Sequence, residues 1–227
     1  MEDLFKNYNK DDVTNGLLLL IDKPYNWSSF DVVNKIRLTI KSKYRINKIK
    51  VGHAGTLDPL ATGLLLVCTG KMTKKISELQ NQLKIYTGTF ILGSTTPSFD
   101  LETKIDTYYS YNHINEHMIN KILSIFIGEI NQTPPIYSAI KKDGKRLYKL
   151  ARQGKKIKIK SRKVLIKKFE ITRFKLPELD FLIECSKGTY IRSIANDFGK
   201  VLKSGAHIKN LRRIASGDYK INKAFKI

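Results

Sequence analysis

The chain contains, at residues 52–63, the stretch Gly52-His53-Ala54-Gly55-Thr56-Leu57-Asp58-Pro59-Leu60-Ala61-Thr62-Gly63, followed at once by the apolar run Leu64-Leu65-Leu66-Val67-Cys68. An apolar run of this length bounded by glycine is typical of a buried strand. The three glycines permit backbone angles that are closed to other residues, and the proline fixes the chain just after the acid. Such a loop can hold the Asp58 carboxylate in one orientation, as a nucleophile requires. A lone Asp-Pro pair would better suit a simple turn, but the whole string in so basic a chain favours the nucleophile.

The composition is strongly basic. The chain has 42 Lys and Arg against 20 Asp and Glu, which gives a formal net charge of +22 and a pI of about 9.9. This excess favours a polyanionic partner, and nucleic acid is the leading candidate. The clustering of the basic residues weakens the alternative of a solvated Lys-rich surface with no partner. The clusters are Lys41, Lys43, Arg45, Lys48 and Lys50; Lys141, Lys142, Lys145, Arg146, Lys149 and Arg152; and Lys155, Lys156, Lys158, Lys160, Arg162 and Lys163.

The length of 227 residues, with 41% hydrophobic and 27% charged residues, predicts a globular chain, most simply a single domain. No apolar run approaches the ~20 residues that a membrane helix needs. The N-terminal residues 1–6 lack the regions of a signal peptide. These features predict a cytoplasmic protein with no membrane partner.

Cysteine and histidine usage gives little sign of a metal site. Cys68 and Cys185 each end an apolar run, which predicts buried, reduced side chains. His113 and His117 have helical spacing and could share a metal, but they lie in a polar segment without a third ligand. We therefore predict no metal.

Hydrophobic periodicity gives a mixed order of strands and helices. Ser28 and Asp31 resemble a capping box, which predicts a helix with the apolar stripe Phe30, Val33, Ile36 and Ile40. Strands are predicted at 17–21, 64–68, 86–92, 137–140, within 157–174, at 181–185 and at 211–215. Further helices are predicted at 73–79, 114–127, 147–152 with Gly154 as a C-terminal cap, and 190–202; residues 93–113 are predicted as a loop or short hairpin. The absence of regular alternation favours an α+β fold.

A second string, residues 185–195, places an arginine at the start of a predicted helix. Arg192 follows the turn at Gly188, so its guanidinium could face a cleft. A partly desolvated catalytic aspartate needs its charged form, and a nearby arginine favours that form. On this string alone, a surface arginine is the simpler interpretation.

Taken together, five ordered strings resemble the TruB family of tRNA pseudouridine-55 synthases. They are residues 52–63, 84–86, a central stretch at 133–141 and 144–148, 186–192 and 211–213. The similarity covers roughly residues 16 to 220, and strings of this length in this order do not arise by chance. Asn26 stands where the family usually has glycine, a mild change because Asn tolerates left-handed turns.

The resemblance implies specific roles for the matching residues. Asp58 would be the nucleophile that breaks the bond between uracil and the ribose, Tyr86 would stack on the flipped base, and Arg192 would pair with Asp58. His53 would fill the space that the base leaves in the T loop. Lys23 and Leu211 would be secondary pocket residues. The segment near 131–154, with Lys145 and Arg146, would clasp the RNA.

The resemblance also implies the architecture and the partner. It predicts the pseudouridine synthase fold, a mixed, mostly antiparallel central sheet flanked by helices, in a single catalytic domain over residues 1–227. After Tyr219 only eight residues remain, so no C-terminal PUA domain is expected. The expected enzyme is a monomer that acts on the T arm of tRNA without cofactor or metal. Two alternatives stay open: a pseudouridine synthase for another RNA, and an RNA-folding helper on the same scaffold.

Overall fold

The computed structural model describes residues 3–142, 144–154, 157 and 159–227. Lys155, Lys156 and Lys158 of the third basic cluster lie outside these ranges. Two compact units make up the chain: unit 1 comprises Met1–Tyr86 with Leu211–Ile227, and unit 2 comprises Thr87–Asn210. That the whole chain acts as a single catalytic domain stays a prediction.

Six α-helices and fourteen strands are found among the described residues. The helices are α1 Lys10–Asn15, α2 Ser29–Tyr44, α3 Ile76–Asn81, α4 Glu116–Leu123, α5 Leu147–Arg152 and α6 Ile191–Val201. The strands are β1 Leu18–Lys23, β2 Val51–His53, β3 Ala61–Thr69, β4 Lys84–Leu92, β5 Ser94–Thr95, β6 Thr107–Tyr108, β7 Gly128–Gln132, β8 Lys141–Lys142, β9 Lys145–Arg146, β10 Arg162–Lys175, β11 Glu178–Cys185, β12 Ala206–Ser216, β13 Tyr219–Lys220 and β14 Phe225–Lys226. Short 3-10 helices occupy Asp3–Phe5, Gly70–Lys75, Ser124–Phe126 and Ile221–Lys223.

Strand β3 is the centre of the sheet in unit 1. It pairs antiparallel with β1 along its length, and β1 pairs parallel with β14. On its other edge, β3 pairs parallel with the end of β12 next to Ala61, and antiparallel with β2 next to Thr69. Because β3 has a neighbour on each edge and apolar clusters on both faces, nearly all its residues are buried. This explains the continuous apolar run at 64–68.

Helix α2 packs on one face of that sheet. The Ser28 hydroxyl accepts a hydrogen bond from the Asp31 amide, and the Asp31 carboxylate accepts one from the Ser28 amide, so the predicted capping box is confirmed. The predicted apolar stripe is partly wrong, because Phe30 is 63% exposed. Val32 takes its place in the core beside Val33. In the first turn of a helix, the periodicity allows either Phe30 or Val32 to face the core, and packing against the sheet decides between them.

In unit 2, β10 pairs antiparallel with β11 and with β7. Five aromatic rings, with the centroids of neighbouring rings 4.2 to 6.2 Å apart, pack together in its core: Phe90, Phe126, Phe169, Phe181 and Phe198. Strand β5 pairs with β6, which confirms the short hairpin predicted within 93–113. The predicted strand at 137–140 is wrong: the chain bends there, and the Ser138 amide donates to the Ile136 carbonyl over 3.0 Å.

Several local predictions are confirmed. Helix α5 has the predicted bounds, and Gly154 follows it with φ +70°. Cys68 and Cys185 are buried thiols that form no disulfide. Mixed, mostly antiparallel strands flanked by helices confirm the α+β class. Across the described part of the chain, no helix is both long and apolar enough to cross a membrane.

Candidate active site

The loop that carries Asp58 joins β2 to β3 in unit 1, and backbone hydrogen bonds close it at both ends. The Ala54 amide donates to the Leu66 carbonyl over 2.8 Å, and the Ala61 amide donates to the Asp58 carbonyl over 3.1 Å. Gly55 has φ +101°, in the region that favours glycine. The backbone on either side of Asp58 is therefore fixed.

A buried serine clamps the residue before Asp58. The Ser29 hydroxyl accepts a hydrogen bond from the Leu57 amide at 2.8 Å and donates one to the Leu57 carbonyl at 3.1 Å. Ser29 is only 3% exposed and belongs to the first turn of α2. The backbone N–H and the carbonyl of Leu57 thus both bond to the Ser29 hydroxyl, which ties the loop to α2.

Lys23 lies buried beneath the same loop, at the end of β1. Its ammonium donates to the carbonyls of Pro24, Trp27 and Pro59, at 3.0, 2.5 and 3.3 Å. Burial lowers the pKa of Lys23 to about 8, and the positive charge of Arg213 lowers it too, while the carboxylate of Asp58 opposes the change. At neutral pH, a buried positive charge therefore lies close enough to interact with the Asp58 carboxylate.

Asn26 holds the other side of this loop. Its φ is +63°, as expected of an asparagine in a glycine position, and its backbone N–H donates to the Pro59 carbonyl over 3.0 Å. The Pro59 carbonyl thus accepts from both Asn26 and Lys23, one residue after Asp58.

Arg213 is a site residue that the sequence analysis did not single out. It is 1% exposed, and its Nε donates to the Leu64 carbonyl over 2.7 Å. One terminal nitrogen donates to the Gly55 carbonyl at 3.0 Å, and the other lies 3.4 Å from the Tyr86 hydroxyl. Its guanidinium carbon is 6.0 Å from the centre of the Tyr86 ring. The signal was available in the string 211–213, where only the first residue received a role.

Tyr86, His53 and Leu211 complete the predicted residues of unit 1. Tyr86 lies on β4 with 8% of its surface exposed, and Leu211 pairs with Ala61 where β12 meets β3. His53 ends β2 and is half-buried. Burial lowers the pKa of the His53 imidazole, and the Arg213 charge lowers it further, so the ring is neutral near pH 7.

Two motif glycines serve different purposes. Gly63 has φ +105° and pairs with Arg213, and a Cβ atom there would lie 2.3 Å from the Arg213 carbonyl oxygen. Gly52 does not have a positive φ, so it does not use the backbone freedom that glycine permits. A Cβ atom on Gly52 would instead meet the Ile76 side chain at 2.7 Å, so that position needs space rather than backbone freedom.

Arg192 lies in unit 2, in the first turn of α6, and is 3% exposed, so the surface interpretation is wrong. Its terminal nitrogens donate to the carbonyls of Ser98 and Tyr137 at 3.0 and 2.9 Å. Its Nε lies 3.5 Å from a carboxylate oxygen of Asp100, which is also buried. The guanidinium is thus held in one plane by three groups, as its forked geometry allows.

Lys145 and Arg146 form β9, which pairs with β8 in a short hairpin of unit 2, and both side chains are exposed. The structure therefore brings Asp58, Lys23 and Tyr86 together in unit 1, with Arg213 among them. Arg192 and the hairpin belong to unit 2.

The chemistry that unit 1 offers is that of one oriented carboxylate among cationic and aromatic groups. The Asp58 carboxylate interacts with the charge of Lys23, Lys23 interacts in turn with the charge of Arg213, and Arg213 contacts the Tyr86 ring. In the described ranges, no group of three or more His, Cys, Asp or Glu residues could hold a metal ion. Such a site suits nucleophilic attack and aromatic stacking on a base.

Comparison with known proteins identifies the relatives of this chain. Residues 41–191 match the family described as TruB family pseudouridylate synthase (N terminal domain). The chain is 61% identical over 213 residues to the tRNA pseudouridine synthase B of Flavobacterium johnsoniae, covering 93% of each. It is 50% identical to the tRNA pseudouridine synthase B of Phocaeicola vulgatus, covering 93% of this chain and 90% of that protein.

Solved structures share the fold. A Cbf5-Nop10-Gar1 complex contains a chain that matches with a TM-score of 0.70 and 27% identity, over 95% of this chain and 53% of that chain. An H/ACA RNP bound to a substrate RNA containing 2'-deoxyuridine matches with a TM-score of 0.67 and 25% identity, over 94% and 51%. This chain thus spans about half the length of those two chains.

Proposed function

Because this chain belongs to the TruB family of pseudouridylate synthases and is a tRNA pseudouridine synthase, we propose that it isomerises uridine 55 in the T loop of tRNA, with Asp58 as the nucleophile. The observation that carries the proposal is the fixed geometry of the Asp58 loop. Ser29, Lys23 and Arg213 hold the peptide groups on both sides of the carboxylate. A nucleophile that must meet one carbon atom benefits from such pre-organisation.

The proposed reaction conserves every atom of the substrate. The Asp58 carboxylate attacks the nucleotide at C1′, and the bond between C1′ and N1 of uracil breaks. The detached base rotates, its C5 forms the new bond to C1′, and the bond from Asp58 is released. C5 loses a proton and N1 gains one. The isomerisation transfers no electrons and loses no group, so the proposal includes neither cofactor nor metal.

Tyr86 is the proposed platform for the flipped base. A base in a folded loop must be extruded before its glycosidic bond is accessible, at a cost of a few kcal/mol. Stacking on an aromatic ring returns ~1–3 kcal/mol. The contacts of Arg213 with the hydroxyl and the ring fix the plane that Tyr86 offers. Tyr86 also assists the transfer of the C5 proton in this proposal.

Arg192 is the proposed partner of Asp58. The three groups that fix its guanidinium are supplied by Ser98, Asp100 and Tyr137, so the orientation of the cation is set before RNA binds. In the same proposal, His53 fills the space that the flipped base leaves, and a neutral imidazole suits stacking among bases.

The remaining residues serve recognition. Lys23 and Leu211 line the pocket, and Lys145 and Arg146 contact phosphates of the T arm. RNA is the partner of this family of enzymes, and the T arm, a monomeric state and a cytoplasmic location are the finer parts of the proposal. The support for Lys145 and Arg146 is their exposure on a short hairpin in a chain of net charge +22.

The test is incubation of the chain with an unmodified T-arm stem-loop, followed by chemical detection of pseudouridine. We expect product with the unaltered chain and none with Asp58→Asn, which keeps the side-chain size but removes the nucleophilic oxygen. A stem-loop with cytidine at the target position is the control. Substantial turnover by Asp58→Asn would overturn the nucleophile assignment.

The choice of RNA needs a second measurement. Mapping of modified uridines in RNA from a strain that lacks the gene would show whether position 55 of tRNA loses its pseudouridine. An intact position 55 with a loss elsewhere would favour a synthase for another RNA. Binding without any product from any RNA would favour the folding helper.

A further inference from the structure

A groove lined by four lysines lies in unit 1, and no residue placed in the active site lines it. Its volume is about 290 Å³, and Lys48, Lys50, Lys71 and Lys74 surround it, with the threonines Thr14 and Thr73 at its wall. No acidic residue lines it. Within the described part of the chain, none of the four ammonium groups forms an ion pair with a carboxylate.

The floor of this lysine groove is rigid. The Gly70 amide donates to the Lys50 carbonyl over 2.9 Å, and the Thr73 hydroxyl donates to the Gly70 carbonyl over 2.8 Å. The Thr69 hydroxyl donates to the Val13 carbonyl over 2.8 Å, which ties α1 to the end of β3. Lys71 is further held by the Asn15 amide oxygen at 3.0 Å. The cationic groups therefore rise from a fixed base and repel one another, and a bound polyanion relieves that repulsion.

The groove and the Asp58 loop lie at opposite ends of β3. The strand begins at Ala61, three residues after Asp58, and ends at Thr69, next to Gly70 of the groove. Its eight residue steps span about 26 Å at ~3.3 Å per residue. An RNA segment held in the groove is therefore distant from the nucleotide that reacts.

We propose that the lysine groove binds the ribose-phosphate backbone of tRNA outside the T arm. The inference rests on the proposed function, because it takes tRNA as the substrate. Lysine ammonium groups act as point charges and contact phosphate oxygens, whereas they lack the planar fork with which arginine reads base edges or stacks. The groove therefore adds affinity that is independent of sequence and dependent on salt.

The experiment compares two variants with the same change in charge. The groove variant carries Lys48→Gln, Lys50→Gln, Lys71→Gln and Lys74→Gln. The control variant carries Lys35→Gln, Lys121→Gln, Lys220→Gln and Lys223→Gln, four exposed lysines outside the groove. All chains also carry Asp58→Asn, so no product forms, and the affinity result stands apart from the outcome of the nucleophile test. The probes are an unmodified full-length tRNA transcript and its T-arm stem-loop, each titrated from 50 to 200 mM salt.

We expect the groove variant to bind full-length tRNA at least about tenfold more weakly at physiological salt, with a slope of log K against log salt shallower by about 3, at ~0.7–0.9 per phosphate contact. Its affinity for the stem-loop should match that of the control variant. Equal losses by both variants would show a general effect of charge, and equal losses on both RNAs would place the groove against the T arm. Either result, or no loss at all, would overturn the inference.

Discussion

The Asp58 loop and the hairpin of β8 and β9 both carry residues with proposed roles in the reaction or in RNA binding, yet they are built in opposite ways. In the loop, buried groups of Ser29, Lys23 and Arg213 bind the backbone around one carboxylate. On the hairpin, Lys145 and Arg146 project from a two-residue strand and are exposed. A reacting atom must be placed to within a fraction of an ångström, whereas a cation near a phosphate needs only to be close. Substitutions in the first region should therefore change kcat, and those in the second should change affinity.

After the loss of product expected for Asp58→Asn, the largest effect is expected for Arg192→Lys. Lysine keeps the charge but cannot hold Ser98, Tyr137 and Asp100 in one plane, so we expect kcat to fall by about a hundredfold or more. Arg173→Lys is the matched control, because Arg173 forms its ion pairs on the surface. Single-turnover rates of pseudouridine formation at saturating RNA measure both. Equal rates for the two variants would contradict a role of Arg192 in the reaction.

Ser29→Ala should have the next largest effect. It leaves the Leu57 amide and carbonyl without their buried partner, which costs about 1–3 kcal/mol of unfolding free energy, and it frees the Asp58 loop, which should lower kcat by roughly ten- to a hundredfold. Ser28→Ala, which removes the cap of the same helix, costs a similar ~1 kcal/mol and should leave kcat unchanged. Urea unfolding and single-turnover rates separate the two effects. An unchanged kcat in Ser29→Ala would contradict the claim that the hydrogen bonds of Ser29 to Leu57 position Asp58 for the reaction.

The lowered pKa of Lys23 should make the free energy of unfolding depend on pH in the alkaline range. Its pKa is about 8 in the folded chain and 10.5 for the unperturbed side chain, so between those values the unfolded chain holds the additional proton, and this residue makes the folded state more stable as pH rises. The contribution is on the order of 3 kcal/mol. Relative to Lys23→Met, the unaltered chain should gain that stability between pH 7.5 and 10.5 in urea unfolding. Parallel curves for the two chains would show that Lys23 has an ordinary pKa.

The smallest effect on chemistry is expected from the hairpin. The double variant Lys145→Gln, Arg146→Gln should raise KM several-fold and make the slope of log K against log salt shallower by about 1.5, as two lost phosphate contacts require. Lys167→Gln, Lys168→Gln is the control, because these lysines already pair with Glu184 and Glu170. A fall in kcat with unchanged KM would show that the hairpin, like the Asp58 loop, acts in the reaction rather than in RNA binding.

Local signals in the sequence were enough for many elements. Three confirmed features depend only on neighbours within a few residues. They are the capping box of Ser28 and Asp31, α5 with the glycine that follows it, and the apolar run of β3. The register of α2 and the bend at 137–140 depend on what packs against them. Phe30 could be placed on either side by periodicity, and only the sheet decides that it faces solvent.

In the candidate site, too, local sequence signals identified some residues and long-range contacts determined the others. The motif around Asp58 and the glycine turn before Arg192 identified the candidate groups. Ser29 and Arg213 were not identified, since each reaches the loop from a distant part of the chain, 28 residues away from Leu57 in one case and 158 away from Gly55 in the other. The string 211–213 marked the position of Arg213, but a run of neighbouring residues does not indicate which distant carbonyl such a side chain contacts.

Strand β12 has a consequence for the newly made chain. Unit 1 is completed only by Leu211–Ile227, which leave the ribosome after the whole of unit 2. At ~5–20 residues per second, the 124 residues from Thr87 to Asn210 take roughly 6–25 s. During that interval the nascent chain has no Arg213 for Gly55 and Leu64, and the edge of β3 that will receive Leu211 is unpaired, a surface on which nascent sheets aggregate. The loop that carries the proposed nucleophile is therefore completed only after unit 2 has been made, and a chain released before Leu211 has an incomplete Asp58 loop.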